Sequence, residues 1–375
     1  MMQKNVNRVK NPFMRTPRTV DVEITSRCNL RCRYCYYFDN PSVTYQDLPT
    51  NEWLRFFKEL GCCAVMDVTL LGGEPFIRED LPALIDGIVK NRMRFSILSN
   101  GGLVDEKIAS YISQTNRCDS VQVSVDGSHP ETHDVCRGKG SFGGAIRGIR
   151  ILRQHNIPIT VRVTIHHYNV FDLENIAHLL LDELALPGFS VNSAGYLGSC
   201  RKSSKELLLT TSDREVAMEM LLSLSESYEG RISAAAGPLA EARLWRKMED
   251  ALLEGAAQFP DGGYLTGCGC PTSKIAVCAD GTIVPCCMLT HLKLGRINRD
   301  SLEKIWQKSR ILNDLRQRHT ISLDTFDFCT GCPYIPYCTG NCPGLAYTLS
   351  GQVNHPSPDA CLRRFLEDGG KVPVI

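Results

Sequence analysis

Thr19-Val-Asp-Val-Glu-Ile24, then Thr-Ser-Arg-Cys28-Asn-Leu-Arg-Cys32-Arg-Tyr34-Cys35, places a short strand-like run directly before three cysteines spaced C-x3-C-x2-C. Working outward from it, strand-like runs recur at Ala64–Leu71, Arg94–Leu98, Ser120–Val125, Thr160–Ile165 and Gly188–Asn192. Amphipathic helical stretches separate them near 51–60, 80–91, 104–114, 142–155 and 171–185, with helix starts expected at Thr50 (Glu52 behind it) and Asp105. Strands alternating with helices of this length predict βαβ units and a parallel sheet, open or closed into a partial (β/α)6 barrel. In either form ligands bind at the C-terminal ends of the strands. The polar clusters fall at those ends: the three cysteines, Gly72-Gly73-Glu74-Pro75, Ser99-Asn-Gly-Gly102, Ser124 with Asp126 and Gly127, His166 with His167 and Asn169, and Ser193-Ala-Gly195. Turn chemistry explains one or two of these, but not six on one edge.

The chain has 375 residues, 43% apolar and 22% charged, with a net charge of +1. That balance excludes a disordered chain and gives no general case for nucleic-acid binding. The N-terminal residues lack the apolar core of a secretory signal, and no apolar run reaches the roughly 18 residues of a membrane span. A cytoplasmic setting is expected, in which the 18 cysteines stay reduced and clustered ones serve metal binding or catalysis. Ten lie between 268 and 361: Cys268, Cys270, Cys278, Cys286, Cys287, Cys329, Cys332, Cys338, Cys342 and Cys361. Cys62, Cys63, Cys118, Cys136 and Cys200 are scattered and are expected to be buried packing residues.

Residues 201–258 are charged, helical and nearly free of strand signal, with a capping box at Ser212–Glu215 ahead of Val216, Met220, Leu221 and Leu224. From 268 onward the chain is rich in cysteine and turns, with one helix around 301–316, and metal centres would staple so small a core. The expected division is an N-terminal extension (1–18), a barrel (19–200), a helical connector (201–265) and a cysteine-rich domain (266–375).

Three thiolates in one compact loop, with no fourth nearby, leave one iron of a cubane open to a ligand that is not protein. With Tyr34 before the last cysteine, the motif resembles the signature of the radical SAM superfamily. The resemblance implies that Cys28, Cys32 and Cys35 hold a [4Fe–4S] cluster whose open iron chelates S-adenosylmethionine. Reductive cleavage would then give methionine and a hydrogen-abstracting 5′-deoxyadenosyl radical. Gly72, Gly73, Glu74 and Pro75 are similar to the family's GGEP element, which lines the methionine amino group. Ser124 and Asp126 fall where such proteins contact the ribose or adenine, and Arg162 where an arginine meets the SAM carboxylate. An Arg and an Asp at strand ends could equally form a structural pair.

The C-terminal spacing is similar to the SPASM domain. Gly281-x4-Cys286 follows Cys268 and Cys270; then come Cys329-x2-Cys332-x5-Cys338-x3-Cys342 and, after a gap, Cys361. Leu294–Asn298 and the helix Ser301–Trp306 also resemble that family. The resemblance implies two auxiliary [4Fe–4S] clusters, three in all. Cys268, Cys270, Cys286 and Cys342 would hold the first auxiliary cluster, and Cys329, Cys332, Cys338 and Cys361 the second. Cys278 could replace Cys268 or Cys270; Cys287, beside Cys286, points elsewhere. Two zinc knuckles are the alternative for this region.

SPASM proteins mostly modify peptides, so the resemblance implies a maturase that takes hydrogen from a ribosomally made precursor peptide, leading to a crosslink, a backbone excision or an oxidation. The Asn341–Tyr347 and His355-Pro356 stretches resemble maturases of Nif11-type leader peptides. About 18 residues precede the first strand, fewer than a leader-binding module needs, so a separate partner protein or the 201–258 helices would recognise a leader. A flavodoxin or ferredoxin would supply electrons; nucleic acid and membrane are not expected partners. Rival readings are a sulfatase-maturase-like dehydrogenase of a protein Cys or Ser, a radical SAM enzyme acting on a small molecule or tetrapyrrole, and a non-enzymatic metal scaffold. His166 and His167 are candidate acid–base groups; Tyr196 and Cys200 could face the cavity, though packing is favoured for Cys200.

Overall fold

The computed structural model describes residues 13–38, 47–266 and 269–373. Ten strands form one sheet: β1 (Thr19–Thr25), β2 (Asp67–Gly72), β3 (Arg94–Ser99), β4 (Cys118–Ser124), β5 (Ile159–Ile165), β6 (Phe189–Ser193), β7 (Ile232–Ala234), β8 (Lys274–Val277), β9 (Thr282–Val284) and β10 (Gly295–Arg296). Their spatial order is β10-β9-β8-β1-β2-β3-β4-β5-β6-β7. β1 to β7 run parallel in sequence order, with helices in the crossovers, as the alternating pattern predicts.

Each of the first six strands alternates. Val20, Val22 and Ile24, then Val68 and Leu70, Phe95 and Ile97, Val121 and Val123, and Val161 and Val163 are buried in one core against the helices. The opposite face carries Asp21, Glu23, Thr69, Ser96, Gln122, Ser124 and Arg162. A parallel sheet covered by apolar layers on both sides would be apolar throughout. This alternation therefore marks a polar inner face, the lining expected of a site rather than of a second core. On the outer layer, the helix Thr50–Cys62 buries Trp53, Phe56, Phe57 and Leu60. Their i, i+3, i+4, i+7 spacing forms one stripe, and each contributes on the order of 2 kcal/mol of burial.

Several expectations are corrected. Residues 201–258, expected to be nearly free of strand, hold one: β7 extends the sheet beyond β6, its signal hidden by a length of three residues. The helix at 211 is capped by Thr210, whose hydroxyl accepts from the Asp213 N–H while Asp213 accepts in return, two residues earlier than the Ser212 box. The first helix does start at Thr50, as expected, but without a side-chain cap; the Thr50 hydroxyl donates to Asp80 at 2.6 Å. Asp105 does cap, accepting from the Ile108 N–H at 2.8 Å. The helix around 301–316 is two helices, Leu302–Lys308 and Arg310–Arg316, because Ser309 ends one and caps the other. Cys62 is exposed rather than packed, whereas Cys136 and Cys200 are buried.

The cysteine-rich part is not separate from the barrel. β8 pairs in parallel with the free edge of β1, Thr19 opposite Lys274 through Val22 opposite Val277. The Lys274 ammonium and the Asp21 carboxylate reinforce that seam at 3.0 Å. β9 and β10 then continue it antiparallel.

Candidate cofactor and metal sites

The loop that leaves β1 is built on the backbone of the next strand. Gly73 N–H donates to Thr25 C=O and Glu74 N–H to Arg27 C=O, both at 2.8 Å. Glycine is required twice here. A Cβ on Gly72, whose φ is +128°, would lie 2.2 Å from the Thr25 oxygen, and one on Gly73 would lie 2.0 Å from the Arg27 oxygen. The Gly-Gly pair thus seats the cysteine loop. Glu74 is almost wholly buried and accepts from the Ser99 hydroxyl and Asn100 N–H at 2.8 Å and from the Phe76 N–H at 3.2 Å. Burial outweighs these donors and pushes its carboxyl up to about 7. Glu74 therefore ties the end of β2 to the end of β3, and Pro75 starts the turn that follows it.

Cys28, Cys32 and Cys35 sit in one loop, close enough that each disfavours ionisation of another. Burial pushes the Cys28 thiol up to about 11 and Cys32 to about 12, and raises Cys35. Half-buried thiols with so little compensation are suited to a cationic guest that would hold them as thiolates. The loop is braced from several strand ends. The Asn100 amide donates to Asn29 at 2.8 Å, Arg33 N–H to the Cys136 carbonyl at 2.8 Å, and Ser199 N–H to the Cys35 carbonyl at 2.9 Å.

Tyr34 turns inward. Its hydroxyl donates to Asp126, which also pairs with Arg137 and accepts from the Thr164 N–H at 2.8 Å. Asp126 has no exposed surface. Burial works against its charge, but the Arg137 guanidinium prevails and lowers its pKa. Asp126 thus holds three donors of its own chain, from the cysteine loop, Arg137 and β5. Ser124 and Arg162 lie opposite each other on β4 and β5. Arg162 has a buried Nε with no partner, and burial lowers its pKa. An unpaired guanidinium on the inner face suits a carboxylate guest.

The two histidines divide. His167 is exposed and pairs with Asp213 at 2.9 Å, holding the start of the helix Thr211–Ser227. His166 is fully buried against Tyr34, ring centroids 5.5 Å apart, and neither ring nitrogen has a partner. Cys200 packs in the buried group of Cys136, Ala194 and Leu207. Tyr196 is partly exposed, and its carbonyl accepts from Thr348 at 2.7 Å.

The C-terminal cysteines gather around two cavities. Cys270, Cys286 and Cys342 line one, with Pro271, Leu289 and Arg318. Cys268 lies outside the described residues. Cys329, Cys332, Cys338 and Cys361 line the other. Burial, then the mutual repulsion of these thiolates, pushes Cys329 up to about 12. Among the described residues no three His, Cys, Asp or Glu side chains converge as a single-ion site; the thiols ring cavities instead. Cys278 and Cys287 line neither cavity. Both thiols donate to Glu23 of β1, which also accepts from the Ala279 N–H. Glu23 is buried, its Oε1 has no partner, and burial raises it to about 7. Sequence reasoning passed over Glu23 and Arg137; the alternation of Asp21 and Glu23 with Val20 and Val22 is the signal that finds the first.

Residues 22–180 match the model of the Radical SAM superfamily, and residues 268–333 that of the SPASM iron–sulfur cluster-binding domain. The chain is 27% identical over 344 residues to Fe-coproporphyrin III synthase of Methanosarcina barkeri, covering 88% of this chain and 84% of that one. It is 24% identical over 350 residues to PqqA peptide cyclase of Ruegeria pomeroyi, covering 91% and 86%. Its fold is similar to that of Streptococcus suis SuiB bound to precursor peptide SuiA, with a TM-score of 0.70, 13% identity and coverage of 93% and 77%.

Proposed function

The chain is a radical SAM domain followed by a SPASM domain, and from that premise we propose an enzyme that abstracts hydrogen from a residue of a ribosomally made precursor peptide. The observation that carries the peptide reading is the alignment of 91% of the chain with a peptide cyclase. Cys28, Cys32 and Cys35 would hold the first cluster, and Arg162 the carboxylate of S-adenosylmethionine. Cys329, Cys332, Cys338 and Cys361 would hold one auxiliary cluster; Cys268, Cys270, Cys286 and Cys342 the other. Bound there, the cluster and S-adenosylmethionine supply a hydrogen-abstracting radical. The chain's own part is to seat the cysteine loop on Gly72 and Gly73, to present Arg162 to an anion, and to shield the site with the half-buried Tyr34 and the buried Asp126 and Arg137.

Three clusters correspond to about twelve irons per chain. Anaerobic reconstitution should reach that figure and give dithionite-dependent release of 5′-deoxyadenosine, with a flavodoxin or ferredoxin serving as the reductant in a cytoplasmic setting. Replacing Cys28, Cys32 and Cys35 with Ala should abolish the release and leave about eight irons. Near-zero iron with two zinc ions would overturn the reading. Mass spectrometry of a treated precursor peptide then distinguishes a crosslink, an excision and a two-hydrogen oxidation, and a separate leader-binding protein would raise the yield. A second reading, a tetrapyrrole substrate, draws on the likeness to Fe-coproporphyrin III synthase. A mass change in coproporphyrin with none in peptide would establish it.

A further inference from the structure

Beyond the cysteine cavities, the sheet ends at β10, and a groove of about 930 Å³ opens between β10 and the helix Leu302–Lys308. Lys293, Arg296, Arg299, Lys304 and Lys308 line it, all exposed, with Asp300 as the one carboxylate. No cysteine lines it. Asp300 is committed to Arg299, at 2.8 Å, and to the Arg296 N–H, at 2.9 Å. The other four cations have no ion pair among the described residues. Lys304 and Lys308 stand one turn apart on the same helix, a like-charge spacing that opposes helix formation. In a chain of net charge +1, this concentration is local, and its self-repulsion is relieved when an anion shares the groove.

We propose that this groove docks an acidic, extended segment of the peptide substrate, away from the residue that reacts; the proposal rests on the peptide reading above. Recognition would be by side chains. The Arg296 N–H and C=O are both engaged with Asp300, so the edge is closed to an added strand. Leu294 and Ile305 give the groove an aliphatic floor, and no aromatic ring lines it. That composition suits aliphatic and carboxylate side chains and lacks the stacking platform of a single-stranded nucleic-acid site.

The test uses reconstituted full-length enzyme and a fluorescein-labelled octamer of glutamate, read by anisotropy. Binding should weaken steeply with salt, and octaserine should not bind. The Arg296→Glu/Lys304→Glu/Lys308→Glu variant should lose at least ~10-fold in affinity, and Lys304→Gln/Lys308→Gln a smaller part. Iron content and peptide-independent 5′-deoxyadenosine release, read on the same samples, should be unchanged, which shows that the variants are folded. Equal octaglutamate binding by wild type and the triple variant overturns the proposal, as does an octathymidylate that binds as tightly as octaglutamate. Failure of the wild type to cleave S-adenosylmethionine would count against the functional reading and leave the groove measurement standing.

Discussion

Tyr34 and Asp126, 92 residues apart in the chain, are joined by a hydrogen bond from the phenol to a carboxylate with no exposed surface. The bond runs from the cysteine loop to the end of β4, so loop position is set by a buried ion pair as well as by local turns. Tyr34→Phe removes one donor and leaves Asp126 with Arg137 and the Thr164 N–H. It should cost about 1 kcal/mol in denaturant unfolding and leave iron loading intact. Asp126→Asn strands the Arg137 charge in the interior and should cost about 3–5 kcal/mol, with little soluble protein recovered.

Gly73→Ala places a methyl group 2.0 Å from the Arg27 carbonyl oxygen, and its three nearest atoms, on Arg27 and Ser26, all belong to the backbone. The cysteine loop must move. The expected outcome is loss of about four irons and of S-adenosylmethionine cleavage, with the C-terminal iron retained. Iron assay and electron paramagnetic resonance check it; full loading with unchanged cleavage would contradict the seating role.

Cys278 and Cys287 face Glu23, whereas Cys270 lines a cavity with Cys286 and Cys342. Cys278→Ser and Cys287→Ser should therefore keep all of the iron, while Cys270→Ser should lose about four atoms. Iron loss on replacing Cys278 would mean that it, and not Cys270, completes the first auxiliary site.

His133 and His166 are both buried, and burial lowers each to about 4 from an ordinary 6.5. The unfolded chain binds protons that the folded one refuses, so stability falls as pH drops from 6.5 toward 4. Each histidine accounts for up to about 3 kcal/mol of that loss. His133 accepts from the Asp126 N–H, whereas His166 makes no ring hydrogen bond. His166→Phe should therefore be nearly neutral at pH 7 and flatten the acid limb of a denaturation midpoint-versus-pH curve. An unchanged limb would refute the assignment.

The strands from β1 to β6 were legible because each couples a run of β-branched residues to a polar cluster at its end. β7 was not: Ile232-Ser-Ala234 carries too little pattern, and its place is fixed by pairing with Phe189–Val191. The grouping of the cysteines was what the resemblance to the SPASM domain implied, up to the competition among Cys268, Cys270 and Cys278. Spacing along the chain cannot say which thiol turns toward β1. That depends on β8 lying in register with β1, which puts Cys278 beside Glu23, one position past Val22 and Val277. Glu74 and Asp126 stood out as polar residues at strand ends, but their internal partners, Ser99, Asn100 and Phe76 for one and Tyr34, Arg137 and Thr164 for the other, depend on tertiary contacts that no local pattern encodes.

The pairing of β8 with β1 means that the chain cannot be cut between its halves. A fragment ending before residue 266 would bare the edge of β1 from Thr19 to Val22, a row of unpaired amide groups beside a hydrophobic layer, and would invite association with other chains. The C-terminal part, severed, would keep β8, β9 and β10 but lose β1, the strand on which β8 is laid. The two sequence families in this protein are thus separable on paper and inseparable in solution. Exchange of one C-terminal cluster domain for another must carry β8 along, or the barrel is left with an open seam.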